Sequence, residues 1–509
     1  MTSVNLPKGV FSSDNLHEDR KLTCDVVVVG SGGGGSVVGA ELAEAGYDVI
    51  IVEEGRYFST SHFSGKTGKM VQDLYRDGGA TIAMGRPPVM YQEGRTVGGS
   101  TVINGGMYWR TPENILKRWS EVNGLSGLTP KELTPYFERV ERRTNVALQD
   151  ESTAGKDNSL LKETAESKGW NVVTNLRNQL HCPGSNNCAF GCPTGAKQSA
   201  LVTYIPRALH FGARLYSDLR AEYVQFSGKR ATGVVARVVE KNEMGATIRI
   251  NARQTVVACG AVHTPGLLMR SGFSSPSGML GRNLSLHPNC KVSARFDEPI
   301  RGWEGVHQAY QVREFQKEGL VFAAVNIPPS VMAMTLPMYG SELGDYLNDY
   351  SHLLIAGLLC EDSSTGRVRL GPKRKPQSFY QLADSDFARL TRGARLLCEL
   401  LFDAGATSIQ TPFAGLSALK GYDDLKNLNP EHLDVDRTEL LTVHLMGTAQ
   451  MGAKRSSSVT DEFGRVHGAA DLMIADASLF PSPIGVNPVE TIQALATRNA
   501  HFLIHSLSN

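Results

Sequence analysis

The sequence predicts an α/β protein, α+β overall, that opens on a doubly wound Rossmann-type unit and carries a second domain closely joined to it. Three observations predict this. A short apolar run, a glycine-rich turn, a helical stretch, a second strand and an acid follow one another over residues 24–53. Over 214–250 apolar and polar residues alternate, as they do in β-structure. The chain has 509 residues, more than one domain at roughly 100–200 residues each. No internal repeat or low-complexity linker divides it, so the domains are expected to be interleaved.

The elements follow in order. Residues 24–29, CDVVVV, are too short and too β-branched for a helix and read as a buried parallel strand. A glycine turn over 30–35 leads into a helix over 36–45 with Gly46 in the C-terminal cap role, then a strand over 48–52 ending at Glu53. Residues 60–118 are glycine-rich and irregular, most densely at 94–106. Thr129 caps a helix that begins at Pro130 and runs over 132–142. A cysteine cluster lies within 150–200, a helix over 202–209, and a short buried strand over 255–258, closed by Cys259 and Gly260. Residues 290–370 are strand-like and punctuated by proline. Asp384 or Ser385 caps a helix whose Leu390, Ala394, Leu397 and Leu401 share a face, and Gly405 ends it. A last helix runs from Val489 to about 505.

Composition excludes several classes. Glycine is 52 of 509 residues against an average of about 7%. The excess lacks a collagen-like period, so it implies tight turns and close approach of backbone to a ligand. Hydrophobic residues at 41% and charged residues at 20% describe a globular chain rather than a disordered one. A net charge of +1 leaves no footprint for nucleic acid or an anionic membrane. The best apolar stretch, 353–359, falls far short of the ~18 residues of a spanning helix. The first residues are polar without a signal core, and eight cysteines are too few for a disulfide scaffold. A cytoplasmic protein with reduced thiols is expected.

Gly30, Gly32 and Gly35 form a G-x-G-x-x-G fingerprint between a strand and a helix. Its glycines serve the tight turn, the approach to a pyrophosphate and the packing of helix on strand, while the helix N-terminus faces the phosphates. Glu53 ends the second strand, where an acid accepts from ribose hydroxyls. The pattern predicts an adenine dinucleotide and leaves FAD and NAD open.

Three further blocks narrow this: 94–105 (GRTVGGSTVING), 260–272 (GAVHTPGLLMRSG), and the group formed by 444–448 (HLMGT), 476–481 (DASLFP) and 485–488 (GVNP). In order and spacing these resemble the signatures of the glucose–methanol–choline (GMC) oxidoreductases, which use FAD. The resemblance implies an FAD-binding domain gathered from 22–118, 199–293 and 439–509, a helical segment and cysteine loop over 119–198, and a substrate-binding domain with an antiparallel sheet over 294–438. It implies that Gly98, Gly99, Ser100 and Asn104 contact the flavin or its ribityl chain, and that Asp476, Asn487 and Pro488 close over it. His444 matches the family's catalytic histidine, the expected acceptor of the hydroxyl proton while hydride passes to flavin N5. Asn487 matches its partner, which bonds the substrate oxygen. His287, in the block 283–288, reads as structural or peripheral to the flavin.

Cys182, Cys188 and Cys192 are spaced C-x5-C-x3-C in a loop rich in glycine, proline and asparagine. Thiolates ligate iron–sulfur clusters, and three of them suggest a 3Fe-4S cluster. Open alternatives are a zinc site with His181 as a fourth ligand, a Cys188–Cys192 disulfide, and unligated buried thiols. The loop is similar to that of the FAD-dependent glucose dehydrogenase branch, in which a cysteine stands where this chain has Pro183. A cluster implies a dehydrogenase that passes single electrons to a cytochrome c type protein or a quinone. That branch also works with a small accessory subunit, with which the catalytic chain can be exported to the periplasm. The other five cysteines read as core residues.

Residues 326–339 carry Met332, Met334 and Met338, expected either to line an apolar substrate pocket or to pack in the core. Lining would favour a bulky or apolar alcohol over a sugar. The resemblance leaves as rivals a hydrogen-peroxide-forming oxidase, a sugar dehydrogenase, and more remotely an FAD-containing hydroxynitrile lyase.

Overall fold

Four β-branched residues in succession, Val26 to Val29, are 0–3% exposed in the computed structural model, which describes residues 6–240, 243–333 and 335–508. Each buried valine contributes about 1.5–3 kcal/mol relative to an exposed one, and this run forms the middle of an eight-stranded sheet. Its strand, Arg20–Val29, lies parallel to Val49–Val52 on one side and to Glu243–Val257 on the other. Helix Gly35–Glu44 is buried along nearly its whole length, packed with Tyr204–His210 and Val489–Ser508 on one face of the sheet. Gly46 (φ +90°) turns the chain out of the first helix, and its N–H bonds the Ala43 carbonyl. The expected strand at 255–258 is the end of the fifteen-residue strand Glu243–Val257. That strand is long because it pairs with Arg230–Glu240 on one edge and with Arg20–Val29 on the other.

A second sheet has twelve strands, with helix Asp384–Asp403 packed in its core. At its centre run Leu440–Thr442, Asn289–Arg295, Leu353–Cys360 and Leu320–Ala324. This sheet cuts across the domain boundaries expected from sequence. The hairpin Thr81–Arg86 and Val89–Tyr91 lies within 22–118, and Leu440–Thr442 within 439–509, yet both pair here. Asn289–Arg295 straddles the expected boundary at 293. Strands this short satisfy their backbone groups by joining a long neighbour, whichever segment they come from.

The expected cap of the 384–403 helix is also corrected. Asp384 is its first residue and Ala383 its N-cap, without a side-chain bond. The neighbouring loop serves instead: Asp386 accepts the N–H groups of Ser363 and Ser364, and Ser364 Oγ accepts the N–H of Ala383. Thr129 does cap its helix, Pro130–Thr144, by accepting the N–H of Glu132.

Candidate active site

The glycine loop has no room for side chains at three of its positions, Gly30, Gly34 and Gly35. A Cβ on Gly30 (φ +101°) would stand 2.2 Å from the Ala258 carbonyl oxygen, and one on Gly35 1.9 Å from that of Gly30. Gly34, which the fingerprint leaves free, is tighter still, 1.6 Å from the Ala475 oxygen. Glu53 is buried, and burial pushes its carboxyl pKa up. Its oxygens accept from Ser31 N–H (3.0 Å), Ser31 Oγ–H (2.7 Å) and Gly55 N–H (2.8 Å). Ser31 Oγ in turn accepts the N–H of Gly98 (3.0 Å), which ties the first loop to the second.

Gly98 (φ +91°) and Gly99 (φ +55°) open the second loop, and a Cβ on Gly99 would lie 2.7 Å from the Cα of Gly32. Ser100 Oγ accepts the N–H of Gly94, and Asn104 Oδ1 accepts that of Gly106. Asp476 is buried and bonded on both oxygens, accepting from Gly260 N–H, Thr264 Oγ–H and Ser478 N–H. It therefore joins the start of helix Gly260–Arg270 to the 476–478 turn. Pro488 precedes the helix Val489–Ser508, whose N-terminus faces the cavity.

His444 and Asn487 come together, with Nε2 and Nδ2 3.4 Å apart. His287, which sequence reasoning set aside, sits behind them. The N–H groups of Ile484 (3.2 Å) and Gly485 (3.0 Å) donate to its Nε2. A neutral His287 with Nε2 so engaged carries its proton on Nδ1, 3.3 Å from Nδ1 of His444. His444 is then left with its own proton on Nε2, and the Asn487 amide must turn its oxygen rather than Nδ2 toward that proton. Burial, then the charge of Lys291, lowers the His444 pKa to about 4, and burial drives that of His287 well down, so both rings are neutral at pH 7.

These groups line a cavity of about 310 Å³ together with Ser100, Asn104 and Pro488. One wall is the second sheet, presenting Asn289, Lys291, Val321, Ala323, Val325, Gly357 and Leu359. A larger depression, about 560 Å³, opens around Arg118, Glu361 and Ser482 and holds none of the expected site residues. Of the methionines, Met332 and Met338 pack in a satellite core with Leu353 and Ile355 and do not line the cavity; Met334 lies outside the described residues. Their neighbours Val325, Ile327 and Val331 supply the apolar lining instead.

The cysteine loop abuts this cavity through Ala189 and Phe190. All eight cysteines are free thiols, so Cys188 and Cys192 form no disulfide. Among the described residues no group of three or more His, Cys, Asp and Glu side chains is arranged to hold a metal ion. Each sulfur is engaged elsewhere. Cys182 packs against the patch of Val306, Ala309 and Tyr310, while Cys188 Sγ accepts from Arg177 Nη2 and Cys192 Sγ from the Lys197 N–H (both 3.2 Å). The chemistry around them nevertheless fits an anionic cluster. Arg177 and Lys197 are buried cations. Lys197 Nζ donates to the carbonyls of Val102, Asn104 and Cys188, and its ionisable neighbours are the thiols of Cys188 and Cys192 and the Arg177 guanidinium. Neither cation belongs to a motif that sequence reasoning singled out.

Comparison with known proteins gives concordant results. The family model of the GMC oxidoreductases matches residues 71–289 and 362–496, and an FAD binding domain model matches 25–74. An uncharacterized GMC-type oxidoreductase of Sinorhizobium fredii is 34% identical over 494 residues, spanning 97% of this chain and 96% of that one. A long-chain-alcohol oxidase of Arabidopsis thaliana is 28% identical over 525 residues, 96% of this chain and 68% of that one. In fold, the chain is similar to the crystal structure of pyridoxine 4-oxidase from Mesorbium loti, with a TM-score of 0.72 at 17% identity over 95% of this chain and 99% of that one.

Proposed function

The chain belongs to the GMC oxidoreductases, and from that premise we propose that it oxidises a bulky or apolar alcohol to a carbonyl, with FAD held by Gly30, Gly32, Gly35, Glu53 and the loop from Gly98 to Asn104. The observation that carries this reading is the meeting of His444 and Asn487 at 3.4 Å on a cavity shared with the flavin loop. The chemistry supplied by bound FAD is two-electron acceptance at its N5. The carbinol carbon loses a hydride and the hydroxyl loses a proton, and the protein's task is to hold the oxygen and move that proton. Asn487 bonds the oxygen. His444, neutral at pH 7, is the proposed acceptor of the proton.

His287 sets a condition on that role. While it donates to Nδ1 of His444, Nε2–H of His444 is a donor to the oxygen and stabilises the alkoxide. Acceptance at Nε2 requires the opposite tautomer pair, with His444 donating from Nδ1 and His287 protonated on Nε2, a form in which the N–H groups of Ile484 and Gly485 lose their acceptor. His444→Ala tests the assignment: it should slow flavin reduction by roughly 10²–10⁴-fold while FAD stays bound, and undiminished reduction would remove His444 from the mechanism.

For the second half-reaction we propose that Cys182, Cys188 and Cys192 hold a 3Fe-4S cluster, supported by the two buried cations beside them, Arg177 and Lys197. The chemistry it would supply is single-electron exit toward a cytochrome c type protein or a quinone, which makes the enzyme a dehydrogenase. An oxygen-using oxidase is the second reading, favoured by the engagement of each sulfur elsewhere. Iron and sulfide analysis of the air-oxidised protein with its EPR spectrum, set beside oxygen consumption on alcohol addition, separates the two.

A further inference from the structure

One charged side chain in the cavity has no part in that chemistry. Lys291 lies on strand Asn289–Arg295, on the wall facing the flavin loop. The register across three strands places Asn289, Leu359 and Val321 in one row and Lys291, Gly357 and Ala323 in the next. Gly357 clears space for the amine, since a Cβ there would stand 2.9 Å from Nζ. The amine donates to Asn289 Oδ1. Among the described residues no aspartate or glutamate lines the cavity, and the ionisable neighbour acting on Lys291 is the thiol of Cys290. Burial lowers the lysine pKa to about 8, so most of it remains an ammonium at pH 7. Lys291 is close enough for its charge to be felt at His444, yet forms no hydrogen bond with it among the described contacts.

A cation half-buried in a cavity wall, shielded from much of its water, is stabilised by an opposite charge brought close to it. Here the described residues supply a cleared position and one amide oxygen, and no carboxylate. We propose that the counter-charge arrives with the substrate: the alcohol is a hydroxy acid whose carboxylate pairs with Lys291 while its hydroxyl meets His444 and Asn487. Val321, Val325, Ile327 and Leu359 line the space for an apolar spacer between the two groups. A monoanion is the matching partner, because among the described residues no second lysine or arginine lines the cavity to balance a phosphate dianion. This assignment rests on the alcohol-oxidising reading above and adds the second functional group of its substrate.

The test uses the FAD-loaded protein and two kinds of probe. Hexanoate and its neutral counterpart hexanamide are titrated against the visible flavin spectrum, which requires no turnover. Hexanol and omega-hydroxyhexanoate are compared by the ratio of their kcat/KM values. Wild type should favour the acid of each pair by at least about tenfold, and Lys291→Met should abolish both preferences, with Lys291→Arg retaining them. FAD content checks folding. If the methionine variant does not hold FAD, Gly357→Ala serves in its place, crowding the ammonium and reducing the preference. Equal binding of hexanoate and hexanamide by wild type, or a preference that survives Lys291→Met, overturns the proposal. Discrimination by Lys291 without flavin reduction by either alcohol would overturn the alcohol-oxidising reading and leave the anion subsite standing.

Discussion

Replacing Glu53 with glutamine tests the nucleotide site with almost no change of shape. The carboxylate accepts three hydrogen bonds, two from Ser31 and one from Gly55, and Ser31 Oγ passes the constraint on to Gly98. A glutamine amide can offer its oxygen to only one side. The smaller loss turns the NH₂ group toward Gly55 and keeps both Ser31 bonds, so one charge-assisted bond of about 1.5–3 kcal/mol is exchanged for a donor–donor contact. The acceptor for the ribose weakens as well. Against this, the neutral amide escapes the desolvation that raises the Glu53 pKa, so the net effect belongs at the low end of that range. FAD affinity should fall by about tenfold, measured by titrating apo-protein with FAD and following flavin fluorescence. An affinity within twofold of wild type would refute both the network's role and the placement of the ribose at Glu53.

The remaining predictions are more direct. Gly34→Ala should abolish FAD binding or folding, because its Cβ would stand 1.6 Å from the Ala475 oxygen; a soluble, FAD-loaded variant would contradict the close packing of this loop. In the pH profile of kcat/KM, a base must be unprotonated, so activity should persist on acidification until pH approaches the His444 value of about 4 and then fall. Lys291→Met removes a cation that lowers this value, so the acid limb should move to higher pH; an unmoved limb would separate Lys291 from His444. Cys188→Ser should eliminate bound iron while leaving FAD content unchanged, and retained iron would take Cys188 out of the proposed ligand set.

The parts of the site legible in sequence are those built by neighbours in the chain. The loop from Gly30 to Gly35 and the acid at Glu53 belong to one strand–turn–helix–strand unit, so spacing alone identified them. What escaped reading is assembled across the chain. His287 and His444 are 157 positions apart, and nothing local marks them as a pair. Lys291 sits in a strand, NCKVSAR, where alternation reads it as an outward-facing charge; the sheet turns that face onto the cavity. The hairpin at 81–91 carries too few residues for a period-two signal and takes its place from its partners. The methionines of 326–339 read equally well as pocket or core because both environments are apolar, and the two described are core.

The central claim is that this cavity oxidises alcohols through FAD with His444 and Asn487 at the hydroxyl. Mixing FAD-loaded protein with hexanol, and separately with omega-hydroxyhexanoate, under anaerobic conditions tests it most directly, by the visible absorbance of the flavin. Bleaching by at least one of the alcohols, with an aldehyde product in one-to-one ratio to FAD, is the predicted result. A spectrum unchanged by every primary alcohol offered, with FAD fully bound, would contradict the account.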